Sequence, residues 1–252
     1  MKRLLLLAAC SSAFAASQSL PPTDQRADAI RDLNTPRAFP AIASRAGWKE
    51  RAQDIRENTL VSCGLWPLPE KTPLKPRISP PTKHDGVAVH RVFIETFPGF
   101  YLGGTLYLPI TTNKEPVPAI LNPHGHGKFG RLHDDEAYSN PARCIQFARM
   151  GMAAFSYDMV GYQDTFQFGV HRKFFLQPEL QLWNLSLMGL QTWNSIRVVD
   201  FLRSLPFVDK KRIACTGESG GGTQTFMLGA VDDRLAAQAP ICMVSHSMQG
   251  GC

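Results

Sequence analysis

One serine lies in a sequence setting that favours nucleophilic chemistry. Residues 217–221 read Gly-Glu-Ser-Gly-Gly, which places Ser219 at the centre of a G-x-S-x-G pattern. A strand-like apolar run at 213–216 precedes the pattern, and a helix-like run at 223–230 follows it. A nucleophile elbow requires this strand-turn-helix order, because its sharp turn exposes the serine hydroxyl at the C-terminal edge of a sheet. We therefore predict that Ser219 attacks a carbonyl carbon in an acyl-transfer reaction.

The glycines around Ser219 fit the same prediction. Side chains two positions before and after the serine would collide in so sharp a turn, and Gly217 and Gly221 occupy these positions. The N–H of Gly220, at the start of the following helix, is the first candidate donor to an oxyanion. The alternative is a glycine-rich turn that only packs the helix against the sheet.

A second polar motif follows an earlier apolar strand. Residues 122–127 read Asn-Pro-His-Gly-His-Gly. Acyl-transfer enzymes of this kind take their second oxyanion donor from the loop in this position, so we predict that Gly125 or His126 supplies it. The rings of His124 and His126 could instead ligate a metal, but no third ligand stands at a useful spacing. We predict no metal and no cofactor; a plain structural turn is the remaining alternative.

Three further residues are predicted to lie at or near the pocket. Glu218 sits in the elbow and either contacts the substrate or makes a structural hydrogen bond. Asp158 follows a predicted strand at 152–157, where bracing the next loop is its expected role. His246 is the one histidine after the serine; it follows the last predicted strand and either lines the pocket or acts as the general base.

The elements that must position these residues alternate between strand and helix. A helix with an apolar stripe is predicted from Ser44 to Leu60, and a hairpin spans 87–108 around Pro98-Gly99. Strands then follow at 117–121, 152–157, 213–216 and 235–244, and helices at 140–151, 185–205 and 220–230. This pattern predicts an α/β fold, with a mostly parallel sheet covered by helices on both faces and an antiparallel edge. Trp183 and Trp193 could form a sugar platform, but their helical placement favours the core.

The first residues indicate export. Residues 1–15 combine a basic start, an apolar run and an Ala-Phe-Ala cleavage site, which is typical of a signal peptide and too short to span a bilayer. Residues 7–10 also fit a lipoprotein box that would anchor the chain through Cys10. We expect a secreted or periplasmic protein, with a lead-in at 16–85 that holds one helix and a proline-rich arm.

Composition excludes several function classes. The net charge is +6, but the basic residues are scattered and form no patch for nucleic acid or a membrane surface. The six cysteines show no metal-like spacing, and we expect buried free thiols.

Several motifs occur in an order that resembles the acetyl-xylan-esterase-like branch of the α/β-hydrolases. They are the segments 64–67, 124–127, 157–162 and 217–223. The resemblance implies removal of an acetyl or other small acyl group from a carbohydrate ester, with Ser219 attacking, a histidine as base and an aspartate orienting it. In that fold the acid and histidine follow the serine. The acid and the histidine are therefore expected beyond Cys252. Residues 86–252 would then form a partial hydrolase domain that lacks its C-terminal strands, and we expect this part to be inactive on its own.

Two other interpretations stay open. A peptidase of the prolyl-oligopeptidase type shares the elbow, although it would carry a propeller and no such repeat is present. A non-catalytic remnant of an esterase is the second.

Overall fold

The computed structural model describes residues 41–111, 115–183 and 185–244. The signal peptide at 1–15, the lipid anchor at Cys10 and the pocket role of His246 fall outside these residues and stay predictions. No helix in the described part of the chain is long and apolar enough to cross a bilayer.

Eight strands and five α-helices make up the described fold. The strands are β1 Arg77–Ile78, β2 Thr82–His84, β3 Val87–Phe97, β4 Phe100–Pro109, β5 Val117–Leu121, β6 Ala153–Tyr157, β7 Val208–Glu218 and β8 Ala237–Ile241. The helices are α1 Arg45–Ser62, α2 Asn140–Arg149, α3 Pro178–Leu182, α4 Leu187–Ser204 and α5 Gly220–Val231. Short 3₁₀ turns cover Gly130–Leu132 and His171–Leu176.

The sheet has an antiparallel part and a parallel part. Its strand order is β1-β3-β4-β6-β5-β7-β8, with β2 paired to β3. The hairpin β3–β4 joins β6 in antiparallel fashion, whereas β6, β5, β7 and β8 are mutually parallel neighbours. The C-terminal ends of β5, β6 and β7 therefore meet at one edge, as the α/β prediction requires. The predicted fold class is confirmed.

Helix α4 supplies much of the core. Trp193, Ile196, Val199 and Leu202 are buried, as the helical spacing predicted. The Trp193 indole N–H donates to the Thr96 carbonyl at 2.9 Å, so its polar atom is satisfied in the core.

Several local predictions were wrong. Trp183 is 80% exposed, because it lies in the connection before α4 and not within that helix. The stripe predicted for α1 does not pack as a core face: Trp48 is 54% exposed, and Leu60 is the buried residue of that helix. The six prolines at 65–81 predict an extended arm without regular structure, yet Arg77–Ile78 in that segment forms β1 and pairs with β3. Asn140 was expected to cap the helix at 140–151, but the side chain of Ser139 caps it and Asn140 is the first residue of α2.

Candidate active site

Ser219 occupies a strained turn between β7 and α5. Its backbone has φ 53° and ψ −120°, a left-handed conformation that a residue with a side chain adopts only under constraint. Two hydrogen bonds impose it: the Ser219 N–H donates to Ile241 O at 3.0 Å, and Ser219 O accepts from the Thr223 N–H at 3.0 Å. Within the described ranges, no residue forms a hydrogen bond with the Ser219 hydroxyl, which is partly exposed. The turn presents this hydroxyl at the edge where the parallel strands end.

The glycines beside the serine are required by close backbone contacts. A Cβ at Gly217 would lie 2.4 Å from Pro123 O and 2.8 Å from Gly221 O. A Cβ at Gly221 would lie 2.2 Å from the same Pro123 carbonyl. The clash between positions 217 and 221 was predicted from the turn; the additional contact with Pro123, just after β5, was not.

The loop after β5 brings Gly125 against the nucleophile. A Cβ at Gly125 would lie 3.0 Å from the Ser219 Cβ and 2.9 Å from Glu218 O. In the part of the chain that the structure describes, the N–H groups of Gly125 and Gly220 donate to no other residue. Gly125 thus lies against the serine, Gly220 follows it in the chain, and both keep a backbone N–H that is unpaired among the described residues, which is the kind of donor that an oxyanion requires.

His124 is committed to structural hydrogen bonds. Its Nε2 accepts from the Met159 N–H at 2.9 Å, so its Nδ1 carries the proton and donates to Gly125 O at 2.7 Å. The ring is fully buried, and this burial lowers its pKa to about 3. Both ring nitrogens are occupied, which leaves no lone pair for a metal. Among the described residues, no group of three or more potential ligands gathers around it.

His126 contacts a second histidine that the sequence did not indicate. Its Nε2 lies 3.2 Å from Nε2 of His171, and His171 Nδ1 lies 2.7 Å from Val160 O. Burial is the largest cause lowering the pKa of both rings, which favours their neutral forms. His171 is 45 residues away from His126 in the chain and belongs to no motif, so no sequence signal joined the two.

A small pocket lies beside the two candidate oxyanion donors. It is lined by His124, Gly125, His126, Met159, Tyr162, His171, Gln191 and Gly220. None of these side chains carries a fixed charge. The pocket therefore suits a small neutral group better than an ion.

The model of the acetyl xylan esterase family matches residues 70–244. The chain belongs to the acetyl xylan esterase family. Among solved structures it is similar to Methylesterase BT1017, with 30% identity and a TM-score of 0.68 over 84% of this chain and 45% of that one. An acetyl xylan esterase from Paenibacillus sp. R4 shares the fold, with 20% identity and a TM-score of 0.53 over 80% of this chain and 60% of that one.

A curated relative agrees with the family. YtaP, a Bacillus subtilis (strain 168) protein named as a hydrolase, is 25% identical over 138 residues, which are 52% of this chain and 45% of that protein. The chain spans about half the length of the relatives it matches.

Glu218 and Asp158 were also predicted to lie at or near the pocket. They lie near it but do not line it. The Glu218 carboxylate is 3.8 Å from the Arg143 guanidinium and faces Gly125. Asp158 is buried, forms an ion pair with Arg131 and accepts from the Asp164 N–H at 3.0 Å. Burial raises the pKa of Asp158 to about 7, against the opposing effect of Arg131. Asp158 thus braces the loop after β6, which was its expected role.

Replacing Arg131 with methionine should destabilise the protein by about 3 kcal/mol, because it leaves the Asp158 carboxyl buried without its partner. Urea unfolding would measure this change. The matched control is Arg143→Met, whose pair with Glu218 is longer and partly exposed, and which should cost about 1 kcal/mol or less. Equal effects of the two substitutions would contradict the bracing role.

Proposed function

We propose that the protein is a serine esterase that removes acetyl or other small acyl groups from carbohydrate esters. The observation that carries the proposal is the close approach of Gly125 to Ser219, together with N–H groups on Gly125 and Gly220 that bond no other described residue. Membership of the acetyl xylan esterase family supports an ester over a peptide bond as the target.

In the proposed reaction, Ser219 and two backbone N–H donors act at the edge where the parallel strands end. Ser219 Oγ attacks the ester carbonyl, and its proton passes to a general base. The negative charge that forms on the carbonyl oxygen is stabilised by the N–H groups of Gly220 and of the Gly125–His126 segment. Collapse of the tetrahedral intermediate expels the sugar hydroxyl and leaves an acyl group on Ser219, which water then removes with the same base assisting.

We place the general base of the proposed reaction outside the described residues. His124 is neutral and fully hydrogen-bonded, and the His126 and His171 rings are joined to each other. None of the three is hydrogen-bonded to Ser219 in the described structure. His246, or a histidine further along the protein, is proposed for this role, with an aspartate to orient it.

The nature of the pocket supports a small acyl group. Its lining is neutral and includes Gly125 and Gly220, the candidate oxyanion donors. An acetyl methyl group fits this description, whereas a charged acyl group would lose hydration without gaining a partner. Export to the periplasm or the medium, proposed from residues 1–15, would bring the enzyme to such carbohydrate esters.

The full-length protein should release acetate from acetylated xylo-oligosaccharides, at the same rate with and without EDTA. The reason is that the chemistry rests on a serine and backbone donors, and His124 has no lone pair for a metal. Acetate and methanol can be measured in parallel assays, with a methyl-esterified uronic acid as the second substrate. Release of methanol alone, or loss of activity in EDTA with recovery in zinc, would contradict the proposal.

A further inference from the structure

The loop after β5 is attached to the loop after β6 by two histidines. His124 Nε2 accepts from the Met159 N–H directly. His126 reaches the next residue, Val160, through the ring of His171. The segment that contains Gly125 is therefore held on both sides. The sequence motif showed the two histidines, but neither link was predicted, because Met159 and His171 both lie in distant segments of the chain.

The link through His171 has a defined direction. The Val160 carbonyl can only accept, so His171 Nδ1 carries a proton and donates to it. In the neutral ring, His171 Nε2 is then an acceptor, and His126 Nε2 must donate to it. The pair thus runs from His126 through His171 to Val160, with each ring held in one tautomer.

A glycine makes room for His171. Gly161 has φ +83°, and a Cβ there would lie 2.2 Å from the His171 N atom and 2.5 Å from its Cα. Only a glycine at position 161 lets the loop after β6 approach the His171 backbone this closely. The ring of His171 also packs on Tyr162, with 5.1 Å between centroids, and Tyr162 packs on His124 at 4.9 Å.

We propose that His171 is a positioning residue for the oxyanion donors of this enzyme. It holds the imidazole of His126, and this fixes the Gly125–His126 peptide beside Ser219. A donor acts on the transition state only when it is aimed at the developing oxyanion, and small displacements are costly. The inference rests on the proposed esterase function and adds a residue that does not touch the reacting atoms.

Two substitutions at one position test the proposal in the full-length protein. His171→Leu removes the acceptor for His126, and should lower kcat on an acetyl ester by about 10-fold to 100-fold while KM changes by less than about twofold. His171→Gln offers a carbonyl oxygen to the same N–H and should retain most of kcat. His90→Leu is the control: this partly buried ring bonds Ser79 O from β3 and lies outside the pocket, so kcat should be unchanged.

A double-mutant cycle gives a second readout that does not depend on one variant. His126→Leu and His171→Leu break the same link, so their effects on kcat should not add in the double variant; the pair His126→Phe and His171→Phe, which also cannot form the hydrogen bond, serves if a leucine variant fails to fold. Additive effects would overturn the proposal. An unchanged kcat in a folded His171→Leu protein would also overturn it. The same holds if His171→Leu and His171→Gln lose kcat equally and in parallel with a fall in melting temperature.

The same experiments separate this inference from the function on which it rests. If Ser219→Ala leaves turnover intact, the proposed function fails. If Ser219→Ala abolishes turnover but His171→Leu behaves as wild type, only the positioning role fails.

Discussion

Ser219→Ala is expected to reduce turnover of an acetyl ester by several orders of magnitude, on the order of 10⁵-fold, in the full-length protein. Alanine removes the attacking oxygen but keeps the backbone that shapes the elbow. Any remaining rate would come from binding and from the N–H groups of Gly125 and Gly220 acting on attack by water. Acetate release at saturating substrate would measure the loss.

Ser204→Ala is the matched control for this experiment. Ser204 is the last residue of α4, shortly before β7 begins, and its hydroxyl donates to Phe201 O. Its replacement should leave turnover within about twofold of wild type, with a loss of stability near 1 kcal/mol. Activity that survives Ser219→Ala would refute the nucleophile assignment.

Gly221→Ala should damage both activity and stability. The added Cβ would lie 2.2 Å from Pro123 O, and a backbone carbonyl cannot move away as a flexible side chain can. We expect a loss of at least about 3 kcal/mol in unfolding free energy. We also expect a fall in kcat of about 100-fold or more, because displacing Pro123 also moves the adjoining oxyanion loop. Urea unfolding and acetate release would measure the two effects.

Gly47→Ala provides the control for a glycine that needs no special space. A Cβ at this position in α1 would meet Ser44 Oγ at 3.4 Å and Ile42 at 3.7 Å, both ordinary contacts. Alanine favours the helix, so this substitution should stabilise the protein by up to about 1 kcal/mol. If both glycine substitutions had the same effect, the steric explanation of the elbow would be wrong.

The elements that carry the elbow could be predicted because their signals are local. The bounds of β5 match the prediction, and Gly217 and Gly221 have the contacts that so sharp a turn implies. The strand before Ser219 was predicted too short, because charged residues at its start hid its first half. These signals depend on neighbours in the chain, and they were sufficient for the fold and for one half of the site.

The other half of the site depends on contacts between distant segments. The spacing of two histidines after β5 was visible, but the partner of His126 is His171, which only the loop after β6 brings into place. The bracing role of Asp158 was expected, whereas its partner Arg131 was not. Trp183 was misplaced because it lies among apolar residues just before α4 in the sequence, where they read as a continuation of the helix.

Labelling with a fluorophosphonate would test the central claim most directly. Such a reagent phosphonylates a serine only when a base and an oxyanion site activate it. In the full-length protein, peptide mass spectrometry should find one adduct, on Ser219, with loss of acetate release in proportion to labelling. An active protein that is labelled at another residue, or that stays active with Ser219 fully labelled, would contradict the account.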